Sequence, residues 1–246
     1  TEGIIGWASG GPYGGYTEGI AVHPEITDTV YVIAELAGLF RTTNGGDHWE
    51  HVKYSPVHRS DVVEVWPVDP SVVFFGGFEG LYRSDQNGDP GTWTQVDFPN
   101  DYPINQPAEL VIAPSDPYTM YCSIANRVFH SQDGGVTWQM RSEGLPVASP
   151  EELTVDPRDA SMVYAAYRQS GTVYTSTNAG QEWSQAPFTI PMTSDGQGGI
   201  WALAADPYQD KTVWLGSFTQ GFYRSTDGGK TLAEVTSLST VAHQSW

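Results

Sequence analysis

Apolar residues along the chain fall in short runs: IAV from Ile20, VEV from Val63, LVI from Leu110, LTV from Leu153 and LAA from Leu203. Runs of this size, rich in branched side chains, predict β-strands. Each run leads to a proline: Pro24, Pro67, Pro114, Pro157 and Pro207. Six residues beyond each proline begins an apolar pair, Val30-Tyr31, Val73-Phe74, Met120-Tyr121, Val163-Tyr164 and Val213-Trp214. A second apolar pair follows, then a phrase built on Asp or Asn and Gly, then a further strand-like stretch such as WTQV or WQMR. Every unit therefore predicts strand, turn, strand, hairpin, strand, turn, strand. No window sustains a 3.6-residue apolar period, and prolines and glycines are too frequent for long helices.

The phrases read RTTNGGDHW from Arg41, RSDQNGDPGTW from Arg83, HSQDGGVTW from His130, TSTNAGQEW from Thr175 and RSTDGGKT from Arg224. Their last aromatic or apolar positions are Trp49, Trp93, Trp138, Trp183 and Leu232, a period of 44 to 49 residues. That period, with four strands per unit, predicts an all-β fold. The specific expectation is a single β-propeller domain over residues 1–246, with five four-stranded antiparallel blades. The units span about 18–53, 61–97, 108–142, 151–186 and 201–236. Ring closure would fall to the strand-like segment Ile4 to Ala8 or to the tail from Thr236 to Trp246.

Five copies of one phrase predict a structural role. The side chains of Asn44, Asp133, Asn178 and Asp227 accept hydrogen bonds within the turn, glycine supplies positive φ, and Trp49, Trp93, Trp138 and Trp183 wedge neighbouring sheets. A calcium loop is the competing role, but each copy offers only one or two side-chain oxygens where calcium takes six to eight ligands. Asn in two copies keeps the acceptor and drops the charge.

The motif Ser131-x-Asp133-x-Gly135-x-Thr137-Trp138 resembles the Asp-box of sialidase-type propellers. The wider unit, with its proline and apolar pairs, is similar to the repeats of xyloglucan-hydrolysing glycosidases, sortilin-type receptors and the photosystem II assembly propeller. The resemblance covers about residues 18 to 235 and implies the fold far more than any one activity. A sialidase would need an arginine cluster and a tyrosine nucleophile. Arg41, Arg83 and Arg224 precede the turns on a repeated outer strand, and the spacing of Arg59, Arg127 and Arg168 reproduces no such motif.

Charge narrows the partners. Eleven basic residues against 29 acidic ones give a net charge of -18, which disfavours nucleic acid and anionic membranes. No apolar stretch is long enough to span a bilayer, and the N-terminal TEGIIGWASG lacks the features of an export signal, so a chain without membrane insertion is expected. The lone Cys122 lies in an apolar run and pairs with nothing. The six histidines show no ligand spacing, so neither metal nor cofactor is expected.

Chemistry is expected where the repeats diverge, on the rim of interblade connections and short hairpins. Six residues before each proline stand Glu18, Asp61, Ala108, Glu151 and Trp201, with Glu109 and Glu152 alongside. These positions predict a set of carboxylates at the start of the innermost strands. The same rim offers Glu79, Tyr102, Arg127, Tyr167 and Arg168, with Tyr13, Tyr16, Phe78, Phe188 and Phe218 as further aromatics. The leading expectation is a non-catalytic binding or assembly module for a glycan or a protein, extracytoplasmic, and open to being part of a larger assembly. The alternative is a glycoside hydrolase using two of Glu18, Asp61 and Glu151, since hydrolysis needs paired carboxyl groups.

Overall fold

The computed structural model describes residues 16–34, 37–52, 60–99, 107–124, 126–190, 192 and 199–235. These residues form five four-stranded antiparallel sheets, each with its strands in chain order. The first holds β1 (Thr17–Val22), β2 (Val30–Ala34), β3 (Gly38–Thr42) and β4 (Glu50–His51). The second holds β5 (Ser60–Val65), β6 (Val73–Gly77), β7 (Gly80–Ser84) and β8 (Trp93–Gln95). The third comprises β9 (Pro107–Ile112), β10 (Met120–Ile124), β11 (Arg127–Ser131) and β12 (Gln139–Met140). The fourth comprises β13 (Glu152–Asp156), β14 (Asp159–Tyr167), β15 (Thr172–Ser176) and β16 (Ser184–Thr189). The fifth comprises β17 (Ile200–Ala205), β18 (Val213–Ser217), β19 (Gly221–Ser225) and β20 (Ala233–Glu234). The four-stranded units read from the sequence are thus present in all five places.

The second strand of each sheet explains the invariant apolar pair. Both faces of β6 and β10 are buried along their length, so these strands read as continuous apolar runs rather than alternating ones. In the first and third sheets the aromatic of the pair is a tyrosine whose hydroxyl reaches the neighbouring sheet. Tyr31 donates its hydroxyl to the Asn87 carbonyl at 3.1 Å, and Tyr121 donates to the Ala160 carbonyl at 2.7 Å. Burial pushes both hydroxyls up from their ordinary pKa, so they remain donors. Three of the outermost strands, β4, β12 and β20, are two residues long and exposed, which limits edge-to-edge pairing.

The chain divides into two compact units, Thr1–Val96 and Asp97–Trp246. In the first, Ala21, Tyr31 and Ile33 pack against Val63, Val65 and Phe75. In the second, Tyr121 and Val128 pack against Leu153, Val155 and Val163, while Tyr164 and Val173 pack against Leu203, Val213 and Leu215. Asp156 joins the fourth sheet to the fifth: one carboxylate oxygen accepts the Arg158 N–H at 2.9 Å, the other the Lys211 N–H at 3.0 Å. A buried carboxylate is tolerable when its oxygens are satisfied in this way. The segments Ile4 to Ala8 and Thr236 to Trp246 lie outside the described residues.

The repeated phrase forms a tight turn with a recurring set of bonds. Ser131 Oγ donates to Asp133 at 2.8 Å and accepts the Gly135 N–H at 2.9 Å. Asp133 also accepts the Thr137 N–H at 2.8 Å and the Thr137 hydroxyl at 2.6 Å. Burial works against its charge, but the bonds from Thr137 and Ser131 outweigh it and hold the carboxyl below its usual range. Asn178 fills the same role without charge, accepting the Ser176 hydroxyl and the Glu182 N–H at 2.9 and 3.0 Å. Asn44 does likewise toward Thr42 and His48. Trp138 and Trp183 are buried, and the Trp183 indole N–H donates to the Arg141 carbonyl of the preceding sheet at 2.9 Å. Trp49 and Trp93 are half-buried. Replacing Asp133 with alanine strips several donors of their acceptor and is expected to cost about 1 to 3 kcal/mol in urea unfolding. A cost near zero would contradict this account of the turn.

Candidate functional site

The position six residues before each proline has a structural identity that spacing alone does not convey. In β1 the register runs Thr17 to Ala34 and Gly19 to Ile33, leaving Glu18 as an extra residue. Asp61 in β5, Ala108 in β9 and Trp201 in β17 are skipped in the same way. Each is a β-bulge, which turns a residue out of the ladder and is a common way to aim one at a binding site. In the fourth sheet both Glu151 and Glu152 face Ala166: the Glu151 N–H donates to its carbonyl and Glu152 pairs with it in register.

Within the second unit, hairpins and bulges of adjacent sheets converge. The β14–β15 hairpin is set by Gly171, whose φ is +63° and whose N–H donates to the Tyr167 carbonyl at 2.9 Å. A Cβ there would run into the Ile190 carbonyl, so no larger residue fits. The hairpin presents Arg168, whose backbone N–H donates to Glu151 at 2.8 Å and whose guanidinium lies 3.5 Å from Glu152. The same guanidinium stacks over the Trp201 ring at 4.2 Å, and Trp201 stands 5.6 Å from Phe218 of the β18–β19 hairpin. Trp201 and Phe218 are 47% and 65% exposed. The result is an open aromatic pair with a cation held against one face, its guanidinium paired with Glu152 and its backbone N–H bonded to Glu151.

Burial raises the Glu152 carboxyl above its ordinary range, Arg168 opposes that rise, and Glu151 adds to it. Tyr167 is buried with an unpartnered hydroxyl, edge-on to Tyr174 at 5.4 Å. Its pKa is pushed up mainly by burial, then by Tyr174 and Glu151, with Arg127 pulling the other way. Arg127, Glu151, Glu152, Tyr167, Arg168 and Trp201 are therefore linked by contacts or charge within this unit. Glu109 lies on β9, and its charge adds to the burial that drives the Cys122 thiol upward. In the first unit, Glu18 and Glu79 are exposed, and the Glu79 carbonyl accepts a bond from the Gln95 side chain at 3.0 Å. Tyr13, Arg59 and Tyr102 lie outside the described residues, as does the Asp61 side chain. Among the described residues, no group of three His, Cys, Asp or Glu side chains is placed to hold a metal ion.

One residue escaped sequence reading. Glu64 is half-buried in β5, between two core valines, and burial lifts its carboxyl to about 7. An acid interrupting the apolar run VVEV was the available signal. A carboxyl poised near neutrality is a candidate proton donor.

The profile of the Sortilin, neurotensin receptor 3 (Sortilin-Vps10) family matches residues 126–246. The xyloglucanase Xgh74A of Acetivibrio thermocellus is 24% identical over 250 residues, covering 89% of this chain and 25% of that protein. Among solved structures, an ancestral GH74 enzyme superimposes with a TM-score of 0.71 at 19% identity, over 91% of this chain and 31% of that one. YCF48, solved bound to D1 peptide, gives a TM-score of 0.63 at 13% identity, over 91% of this chain and 69% of that one. The chain spans about a quarter of the length of the curated xyloglucanases it matches over most of its length. These likenesses and the five sheets show an all-β propeller fold of four-stranded antiparallel blades carrying Asp-box repeats.

Proposed function

We propose that the rim of the second unit is a non-catalytic binding surface for a polysaccharide. The observation that carries this reading is the exposed Trp201–Phe218 pair, backed by Arg168 and fixed by Glu151 and Glu152. Flat aromatic faces beside polar groups suit the apolar face and hydroxyl edge of a sugar ring. The names of the xyloglucanase relatives support xyloglucan as the first ligand to test. Both carboxylates nearest the platform bond to Arg168, which favours anchoring over proton transfer. An extracytoplasmic location belongs to the same proposal, since polysaccharides of that kind lie outside the cell.

The test is affinity electrophoresis through gels containing xyloglucan, mixed-linkage glucan or xylan, with reducing ends assayed in parallel. The expected result is retardation by at least one glucan, loss of it in Trp201→Ala at unchanged melting temperature, and no release of reducing ends. No retardation by any of the three would overturn the reading.

A second reading, glycoside hydrolysis, is favoured by the relatives' names and by the raised Glu152 and Glu64 carboxyls. Within the second unit it uses Glu152 with Glu151 as its partner and requires release of reducing ends, lost in Glu151→Gln. Retention of activity in variants of all these carboxyls would exclude it.

A further inference from the structure

The second unit holds a cavity of about 430 Å³ beside the third sheet, distinct from the aromatic platform, with Arg127 and Arg141 in its lining. Its size falls in the range of small-molecule sites. With 29 acidic and 11 basic residues in the chain, a carboxylate is an easy partner for any arginine to find. Arg41, Arg83 and Arg168 have each found one. Among the described residues, Arg127, Arg141, Arg158 and Arg224 form no ion pair; Arg158 donates to the Tyr208 carbonyl and Arg224 lies over the Trp214 ring, while Arg127 and Arg141 line this cavity together. The Arg127 guanidinium donates to the carbonyl of its own neighbour Asn126, and Arg141 donates one N–H to Gln139. The Nε–H of Arg141 is buried and has no acceptor. An unmade bond from a buried charged donor is costly, so the site is arranged for an acceptor that arrives from outside.

The rest of the lining narrows the chemistry. Met140, Leu145 and Val147 form an apolar wall, with Met140 and Val147 49% and 79% exposed. Glu143 lines the same cavity and would repel a second acidic group. Two guanidiniums beside an apolar wall and a single acid match one planar carboxylate attached to an apolar group. We propose that this cavity binds an apolar monocarboxylate, supplied either as a free acid or as the last residue of a peptide chain. The site is independent of polysaccharide binding at Trp201.

Calorimetric titration of the full chain tests this with sodium hexanoate, its neutral analogue hexanamide, and acetyl-Ala-Leu as the free acid and as the amide. Hexanoate should bind at least about tenfold more tightly than hexanamide, and the peptide acid more tightly than the peptide amide. Arg127→Gln should weaken both acids by about tenfold or more at unchanged melting temperature. Arg141→Gln should do the same, and Trp201→Ala should bind hexanoate like the parent. Because the Arg141 Nε is buried and its loss could disturb folding, Arg127→Gln, which removes a guanidinium bonded to the carbonyl of its own neighbour Asn126, is the deciding variant. A peptide acid tighter than hexanoate assigns the site to chain termini, and the reverse order to free acids. Equal affinity for acid and amide, binding by neither acid, or hexanoate affinity unchanged in Arg127→Gln would overturn the proposal.

Discussion

Replacing Glu64 with glutamine is expected to stabilise the protein at pH 8 by about 2 to 3 kcal/mol while leaving it almost unchanged at pH 4. The carboxyl titrates near 7 in the folded chain, against 4.5 for the ordinary group, because burial in β5 penalises its charge. Below pH 4.5 the group is protonated in both states and contributes no penalty. As pH rises toward 7, the unfolded chain releases the proton first, so the folded state loses stability across that window and the loss levels off above it. The difference between parent and variant in urea-unfolding free energy isolates this group from the other acids. A difference that does not change between pH 4.5 and 7 would contradict the assignment.

The second large effect is expected at Gly171. Alanine there must take a φ near +63° and place its Cβ against the Ile190 carbonyl, so hairpin and outer strand must separate. Left-handed backbone and overpacking together predict a loss of about 2 to 4 kcal/mol. Gly91 provides the control: its φ is +82°, but a Cβ would meet nothing within 4 Å. Gly91→Ala should therefore cost only the conformational part, about 1 to 2 kcal/mol. Thermal unfolding of the two variants separates the contributions, and equal losses would argue against the steric contact. Because Gly171 ends the hairpin that presents Arg168, Gly171→Ala should also weaken ligand binding at the rim.

The repeating strands were legible because their signals are local. A proline, an apolar pair and an Asp/Asn-Gly turn each act within a few residues, and five copies reinforce one another. The rim positions were legible by alignment, but not the reason for them: a bulge at Glu18, Asp61, Ala108 and Trp201 depends on the register of the neighbouring strand. Arg168, Glu152 and Trp201 could each be named as rim residues. Their meeting depends on how the fourth and fifth sheets pack, which periodicity does not encode. Glu64 was hidden for the same reason, since a single acid in an apolar run reveals its raised pKa only once its surroundings are known. The cavity between Arg127 and Arg141 joins a hairpin to the end of an outer strand, residues that the repeat pattern assigns to different parts of the blade.

The claim that the second unit carries a sugar-binding platform rests on Trp201 being open in the free protein and covered in the complex. Indole fluorescence with acrylamide quenching, recorded with and without each polysaccharide of the gel panel, measures that directly. The account predicts that a bound polysaccharide protects one tryptophan from quenching and that the protection vanishes in Trp201→Phe while the melting temperature holds. Retardation in the gel with quenching unchanged, or protection that persists in Trp201→Phe, would place the sugar elsewhere and contradict the account.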